Sequence, residues 1–358
     1  MKLSGDMQGR IVVYFSLGFV LGAVFCGTIL FLRQSAFEAT FLMVAAPVGA
    51  IVSTFFIPIK RSSTSVVVAA FFCGCLAYLS GGLERGDFSF FSKAEKLKEN
   101  FSEYLDGFFG EDAAENSDET AVLKALAIGD KEGLDSGLKR EYKTSGAMHL
   151  LALSGLHIGI IYAFLSFSLT FLGKGRYTRH LKRIIILSLL WGYAVVTGLG
   201  NSISRAVTMI TVYELTGVMQ SKKDLLRALA VSAFITTLLN PSAPFQIGFQ
   251  LSYSSVLATR FLFPRMKNLM QTRSGLLEAI WNTLAMSVCC QAATAPLSLL
   301  YFGTLPRYFM ITNLLAIPIT GIVMYTIPVA LCLKSLRPIL FWCLSLLNRI
   351  IHIVAGIE

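Results

Sequence analysis

A helix that crosses a bilayer needs about 20 mostly apolar residues, and runs of that kind recur along most of the chain. The first three are Ile11–Leu32, Phe37–Ile59 and Ser65–Leu79. A polar stretch from Gly82 to Gly146 interrupts the series. Apolar runs resume at Ala147–Leu172, Ile184–Leu199, Ile203–Met219, Leu226–Leu239, Phe245–Phe263, Leu276–Tyr301, Tyr308–Leu333 and Pro338–Ile357. The pattern predicts an all-α fold, a polytopic transmembrane helical bundle of about ten or eleven spans, with a short helical extracytoplasmic segment. The count turns on whether the Gln-containing stretch Phe245–Phe263 crosses or re-enters. Three regions follow: an N-terminal three-span region (1–82), the extracytoplasmic segment (83–146) and a second transmembrane region (147–358). Lys2 and Arg10 precede the first run as they would in a signal peptide. That run is longer than a signal core and lacks a small-x-small cleavage site, so it reads as a retained helix.

Within the polar segment, Leu97, Phe101, Tyr104, Leu105 and Phe108 recur at helical spacing and predict one apolar stripe. Charged residues (Lys96, Lys98, Glu99, Glu103, Asp106) lie behind it, as on a helix resting on a membrane or on the bundle. A second helix is expected over Glu119–Ile128, capped by Asp118 and ended by Gly129-Asp130. At about 65 residues the segment could barely bury a core of its own.

Composition agrees with the pattern. Only 15% of the 358 residues are charged and 54% are hydrophobic, against roughly 25% charged in a soluble domain, which excludes an ordinary soluble enzyme. Lys and Arg number 31 and Asp and Glu 21, a net charge of +10. The segment between Leu83 and Ala147 holds 15 acidic and 9 basic residues, leaving 22 basic and 6 acidic elsewhere. Cytoplasmic loops retain Lys and Arg. With eleven spans and a cytoplasmic N-terminus, six basic clusters fall on the inner side: Lys2/Arg10, Lys60/Arg61, Lys174–Arg183, Lys222–Arg227, Arg260–Arg273 and Lys334/Arg337. The surplus therefore reports mainly orientation. All seven cysteines lie in apolar runs as small hydrophobes, and nothing in the spacing of His, Cys, Asp and Glu suggests a metal or another cofactor.

Polar residues inside spans are the candidates for function, because ionisable groups there are usually functional. The densest cluster is His149-Leu-Leu-Ala-Leu-Ser154-Gly155-Leu-His157-Ile-Gly159. On one continuous helix at 100° per residue, His149, His157 and Ser154 fall at about 0°, 80° and 140°, and Ala152, Gly155 and Gly159 form a small-residue strip for close helix approach. Ser154 and His157 at i, i+3 could be a nucleophile and its base, but no acid nearby orients the imidazole. Interhelical hydrogen bonding is the bland alternative. Arg205, just inside the next span, would bind a phosphate or snorkel to the surface. Gln246, Gln250 and Ser254 form a polar stripe, with Ser252 beside it. Ser287, Gln291 and Thr294 repeat the pattern, and Asn313 with Pro318 interrupts the following span. Each could be interhelical glue; together they describe helices turning polar stripes inward. There is no Walker A sequence and no G-x-G-x-x-G.

The segment H-L-L-A-L-S-G-L-H-I-G (His149–Gly159) resembles the signature of the ComEC competence family of bacterial DNA-uptake channels. The resemblance continues in order through Gly129-Asp130 and the lead-in to Gly146, S-x-x-R-A (Ser202–Ala206), Asn240-Pro241, G-F-Q-L-S-Y (Gly248–Tyr253), Q-x-A-T-x-P (Gln291–Pro296) and N-L-L-A-I-P (Asn313–Pro318). It implies that 147–358 is a competence-type channel core, passing single-stranded DNA across the inner membrane in natural transformation. His149, Ser154, Gly155, His157, Arg205, Gln250, Ser252, Gln291 and Asn313 are then its pathway or packing residues. The implied partners are single-stranded DNA, the lipid bilayer and separate competence proteins (a nuclease, a helicase-like ATPase, a periplasmic DNA receptor), with homo-oligomerisation left open. The H-x-H-x-D-H motif of the family's metallo-β-lactamase-like domain is absent from this sequence, so no enzymatic activity is expected of it. A transporter of another anionic solute is the competing expectation, and an intramembrane serine hydrolase a distant third.

Overall fold

The computed structural model describes residues 13–14, 16–24, 89–113, 116–173, 175–219, 224–270, 274–303, 305 and 308–357. The expected spans Phe37–Ile59 and Ser65–Leu79 lie outside them, as does most of Ile11–Leu32, of which 16–24 are helical. The described residues form an all-α helical bundle without strands. In chain order the helices are α1 (Ser89–Ala113), α2 (Ser117–Ile128), α3 (Ser136–Thr144), α4 (Met148–Leu151), α5 (Gly155–Ser168), α6 (Arg176–Val196), α7 (Asn201–Met219), α8 (Leu225–Leu239), α9 (Ile247–Phe261), α10 (Phe263–Lys267), α11 (Gly275–Phe302), α12 (Phe309–Cys332) and α13 (Arg337–Ala355). Short 3₁₀ turns follow α5 (Leu169–Leu172), precede α9 (Ala243–Phe245) and precede α13 (Lys334–Leu336). Among the described residues four stretches are long and apolar enough to cross a membrane: Gly155–Leu172, Gly275–Phe302, Phe309–Cys332 and Lys334–Ala355. α8 and α9 have 15 residues each, about 22 Å at 1.5 Å per residue, less than the roughly 30 Å of a hydrocarbon core.

The chain divides into two compact units, Met1–Phe88 with Thr208–Tyr253, and Ser89–Val207 with Ser254–Glu358. In the first, Ser232 Oγ and the Tyr253 hydroxyl meet at 3.1 Å in a buried contact, and Phe19 packs edge-on to Phe234 at 4.7 Å between ring centroids. Asp224 caps α8 by accepting the Leu226 and Arg227 N–H groups.

The second unit is organised around α2. Val122, Leu123, Ala125 and Leu126 have no exposed surface and pack with Ala316, Val323 and Ala330 of α12 and Leu340, Leu344, Leu347 and Ile351 of α13. Burying a Leu- or Val-sized side chain contributes about 1.5–3 kcal/mol, so this segment solves its size problem by sharing a core with the last two helices. α1 runs antiparallel to α2, with Lys124 Nζ 2.9 Å from Asp106 Oδ2 and Ser102 Oγ donating to Asp130 Oδ2 at 2.8 Å.

Several local expectations change. The apolar stripe of α1 splits: Leu105 (1% exposed) and the unforeseen Phe109 (0%) enter the core, while Leu97 and Tyr104 stay exposed. One residue adds 100° around a helix, which puts Leu105 on a different face from Tyr104. α2 begins with Asn116 as its N-cap, so Asp118 stands in the first turn and meets the helix dipole there. The end at Gly129 is as expected, with φ +71 in the left-handed region and its N–H bonded to the Ala125 carbonyl. α6 begins at Arg176, so Arg176, Arg179, Lys182 and Arg183 of the basic cluster expected in a loop stand in the first turns of a helix. The assignment of all six basic clusters to the face opposite 83–146 also changes. The Arg337 guanidinium lies 4.1 Å over the Phe108 ring, and Phe109 packs on Phe341 at 5.8 Å. A bilayer cannot separate groups in contact, so Arg337 and the end of α1 share a side.

Candidate functional site

The predicted continuous helix through His149–Gly159 is broken. α4 is one turn, Met148–Leu151, after which Ala152 turns extended (φ −92, ψ 125) and Ser154 is extended too (φ −129, ψ 170) before α5 begins at Gly155. The angular positions expected of His149, Ser154 and His157 therefore do not hold across the break. The cause is local: Ser154 is the N-cap of α5 and His157 occupies the third helical position, forming a capping box with the imidazole where Glu or Gln is usual. The Ser154 N–H donates to His157 Nδ1 at 3.3 Å, and Ser154 Oγ lies 3.0 Å from the same nitrogen. A capping bond thus accounts for the proximity that a Ser–His nucleophile pair would need. The far nitrogen, Nε2, is buried without a hydrogen-bond partner, so nothing orients the ring as a triad acid would.

The break is held from several sides. Leu153 lies over Gly129, where an added Cβ would sit 2.7 Å from Leu153 Cδ1. Tyr193 of α6 donates its hydroxyl to the Ala127 carbonyl at 2.8 Å. Thr312, in the first turn of α12, donates to the Ser145 carbonyl at 2.7 Å in a buried bond. His149, exposed on α4, has its Nδ1 2.9 Å from the Gly146 carbonyl. Asp130 accepts the Glu132 N–H and the Ser102 hydroxyl. Burial would raise the Asp130 pKa, but these bonds together with Lys124 and Lys98 outweigh it and hold the carboxyl below its usual range. Tyr142 donates to Asn348 Oδ1 at 2.9 Å, and burial, with Glu119 and Glu141 adding to it, pushes its phenol pKa up.

α7 brings the second candidate. A tight turn precedes it, with Gly198 at φ +80 and Leu199 at φ +54, a left-handed conformation that is uncommon for a non-glycine residue. Ser204 Oγ bonds back to the Leu199 carbonyl at 3.0 Å, and the Lys98 side chain runs beside Gly198, 3.4 Å from where a Cβ would stand. Of the expected small-residue strip only Gly155 meets a neighbour: Ala152 lies in the break, a Cβ on Gly159 would meet nothing within 4 Å, and a Cβ on Gly155 would lie 3.8 Å from the Ala206 Cβ, so the N-terminal turns of α5 and α7 are neighbours. Arg205, the residue before Ala206, is 5% exposed. It is a buried guanidinium and does not snorkel.

The remaining candidates are placed elsewhere. Asn313 Nδ2 donates to Ser287 Oγ at 3.5 Å, tying α12 to α11, and Gln291 is half-buried on α11. Gln250 and Ser252 belong to the other unit. Gln250 Nε2 donates to the Pro244 carbonyl at 3.1 Å, and Ser252 Oγ bonds back to Gly248 at 2.7 Å. Gln246 precedes α9, so the expected Gln246–Gln250–Ser254 stripe loses its first member. The structure thus brings together His149, Ser154, Gly155, His157 and the Arg205–Ala206 step within one unit. Sequence reasoning missed Glu214, 4% exposed on α7. It is one of only six acidic residues outside 83–147, and that scarcity was the available signal.

The profile of the competence protein family matches residues 126–358, more than half of the chain and all of the broken-helix region. The chain belongs to the competence protein family. Among curated proteins it is similar to ComE operon protein 3 of Bacillus subtilis (strain 168), 28% identical over 253 residues, which cover 67% of this chain and 31% of that relative. The chain thus aligns to about a third of the length of the curated relative it matches. No solved structure matches. With four membrane-length apolar helices among its described residues, this competence-family chain is a membrane protein.

Proposed function

We propose that this competence-family protein is the inner-membrane channel core that passes single-stranded DNA into the cytoplasm during natural transformation, without catalysis of its own. The observation that carries the proposal is Arg205, buried to 5% exposure in the first turns of α7 beside the N-terminus of α5. Two helix N-termini carry partial positive charge, and a guanidinium is suited to phosphate. Phosphates dominate nucleic-acid affinity. Hydroxyls and amides on α11 and α12 can line a hydrated path without trapping a strand. On this proposal the N-terminus is cytoplasmic. The nuclease, the helicase-like ATPase and the DNA receptor are separate partners.

Deletion of the gene is expected to abolish transformation while labelled DNA still reaches the cell surface. Arg205→Ala, inserted in the membrane at normal levels, is expected to reproduce the deletion. Normal transformation in the deletion strain overturns the proposal, and DNA-independent flux of a smaller anion in proteoliposomes replaces it with a solute transporter.

A further inference from the structure

The α5 N-terminus holds a donor that the fold does not use. His157 Nδ1 accepts the Ser154 N–H at 3.3 Å, so in the neutral imidazole the proton resides on Nε2. That Nε2 is buried without a hydrogen-bond partner, and the residue as a whole is 0% exposed. A donor left in this condition is costly and calls for an acceptor from outside the fold. The same ring closes the N-cap through Nδ1, so His157 belongs to the N-terminal turn of α5. There the first-turn N–H groups of Gly155 and Leu156 have no intrahelical acceptor. Gly155 is exposed and has no side chain, so its amide can be approached closely. Across the Gly155–Ala206 contact stands the N-terminus of α7 with Arg205. Its position is fixed by the turn in which Leu199 adopts φ +54, and strain of that kind gathers at working sites.

We propose that the α5 N-terminus is a phosphodiester subsite: His157 Nε2–H and the Gly155 and Leu156 amides bind a backbone phosphate oxygen, and Arg205 supplies counter-charge. The inference rests on the DNA-channel reading above and names the atoms that touch the strand. A neutral imidazole donor suits this task. It offers one directed bond without the net charge that would hold a polyanion in place, and conduction needs binding weak enough to release.

Glu and Gln at the third position of a helix both complete a capping box with a Ser N-cap, but only Gln retains an N–H donor. The full chain, reconstituted in phosphatidylcholine nanodiscs, is titrated against a fluorescein-labelled oligothymidylate and its uncharged methylphosphonate counterpart by fluorescence anisotropy. The expected result is binding of the phosphodiester strand that weakens about tenfold to a hundredfold in His157→Glu. In His157→Gln it stays within about threefold of the natural chain, and the methylphosphonate strand is indifferent to both changes. Equal melting temperatures of the two variants show that the cap survives. Strand binding that is unchanged in His157→Glu overturns the subsite and leaves the channel reading standing, as does an equal loss in both variants. Absence of any strand binding by the natural chain overturns both. If anionic phosphatidylglycerol is then retained in a His157-dependent way, the phosphate belongs to a lipid headgroup.

Discussion

Gly129 and Leu153 meet where the lead-in to the broken helix touches the break, and their contact sets a test of how the break is held. At Gly129 the backbone has φ +71, and an added Cβ would stand 2.7 Å from Leu153 Cδ1 and 2.8 Å from Leu153 Cγ. Gly129→Ala therefore carries two separable penalties. The left-handed backbone disfavours an L side chain by roughly 1–2 kcal/mol. Crowding against Leu153 adds about 1–3 kcal/mol, the usual range for an overpacked methyl. The sum is about 2–5 kcal/mol. In a Leu153→Ala background the steric part disappears and only the backbone part remains, so the two substitutions should couple favourably by about 1–3 kcal/mol. Thermal unfolding of the four chains in detergent, followed by circular dichroism, reads both numbers. Gly129→Asn is a useful control, because Asn tolerates the left-handed region but brings the same Cβ. It should lie between glycine and alanine. Strict additivity of the Gly129 and Leu153 changes would refute the claim that this contact holds the segment before Ser154.

Three further outcomes follow. Thr312→Val should destabilise by about 1–3 kcal/mol, because the buried Ser145 carbonyl loses the hydroxyl that ties α12 to the segment before α4; the unfolding midpoint in detergent checks it. In a chain without native cysteines, Glu103→Cys and Ser335→Cys should react with a membrane-impermeant maleimide from the same side, since Arg337 sits on Phe108; labelling from opposite sides would refute that packing. Asp130 has a folded pKa below its unfolded value of about 3.9. Its stabilisation is present above the unfolded value and is lost as pH falls through the folded one. The melting-temperature gap between the natural chain and Asp130→Asn should therefore be constant at neutral pH and close only below about pH 4.

What was legible in the sequence followed from physics that acts within one stretch of chain. Among the described residues the apolar runs became largely helical, and Gly129 ended α2 because only a residue tolerant of positive φ suits that cap. The break at Ala152–Ser154 was hidden because Ala, Leu and Ser carry no strong signal against a helix in an apolar run. The Ser154-Gly-Leu-His157 quartet was the clue, but His at the third position differs from the Glu or Gln of the usual capping box. The shared core of α2, α12 and α13 was out of reach for another reason. Residues more than 180 positions apart in the chain build it, and local periodicity says only that a face is apolar, not what covers it. The same holds for Phe109, which lies one step beyond the stripe that spacing picked out. For Arg205 the sequence left phosphate binding and snorkelling open, and burial removes only the second.

The charge distribution gives the proposed subsite its logic. Between Leu83 and Ala147 acidic residues outnumber basic ones 15 to 9, so the polar segment that packs around the break would repel a polyanion rather than collect it. Attraction must then come from groups that act over short range. Helix N-termini do this, since their field fades within a turn, and so does a hydrogen-bond donor such as His157 Nε2–H, which acts only on contact. A strand would thus be recruited by other proteins and held here only while a phosphate occupies the α5 N-terminus. On that account, reversing acids on the exposed face of α1 should raise strand affinity at low salt and leave the difference between His157→Glu and His157→Gln intact, because screening acts on the distant charges and not on the contact.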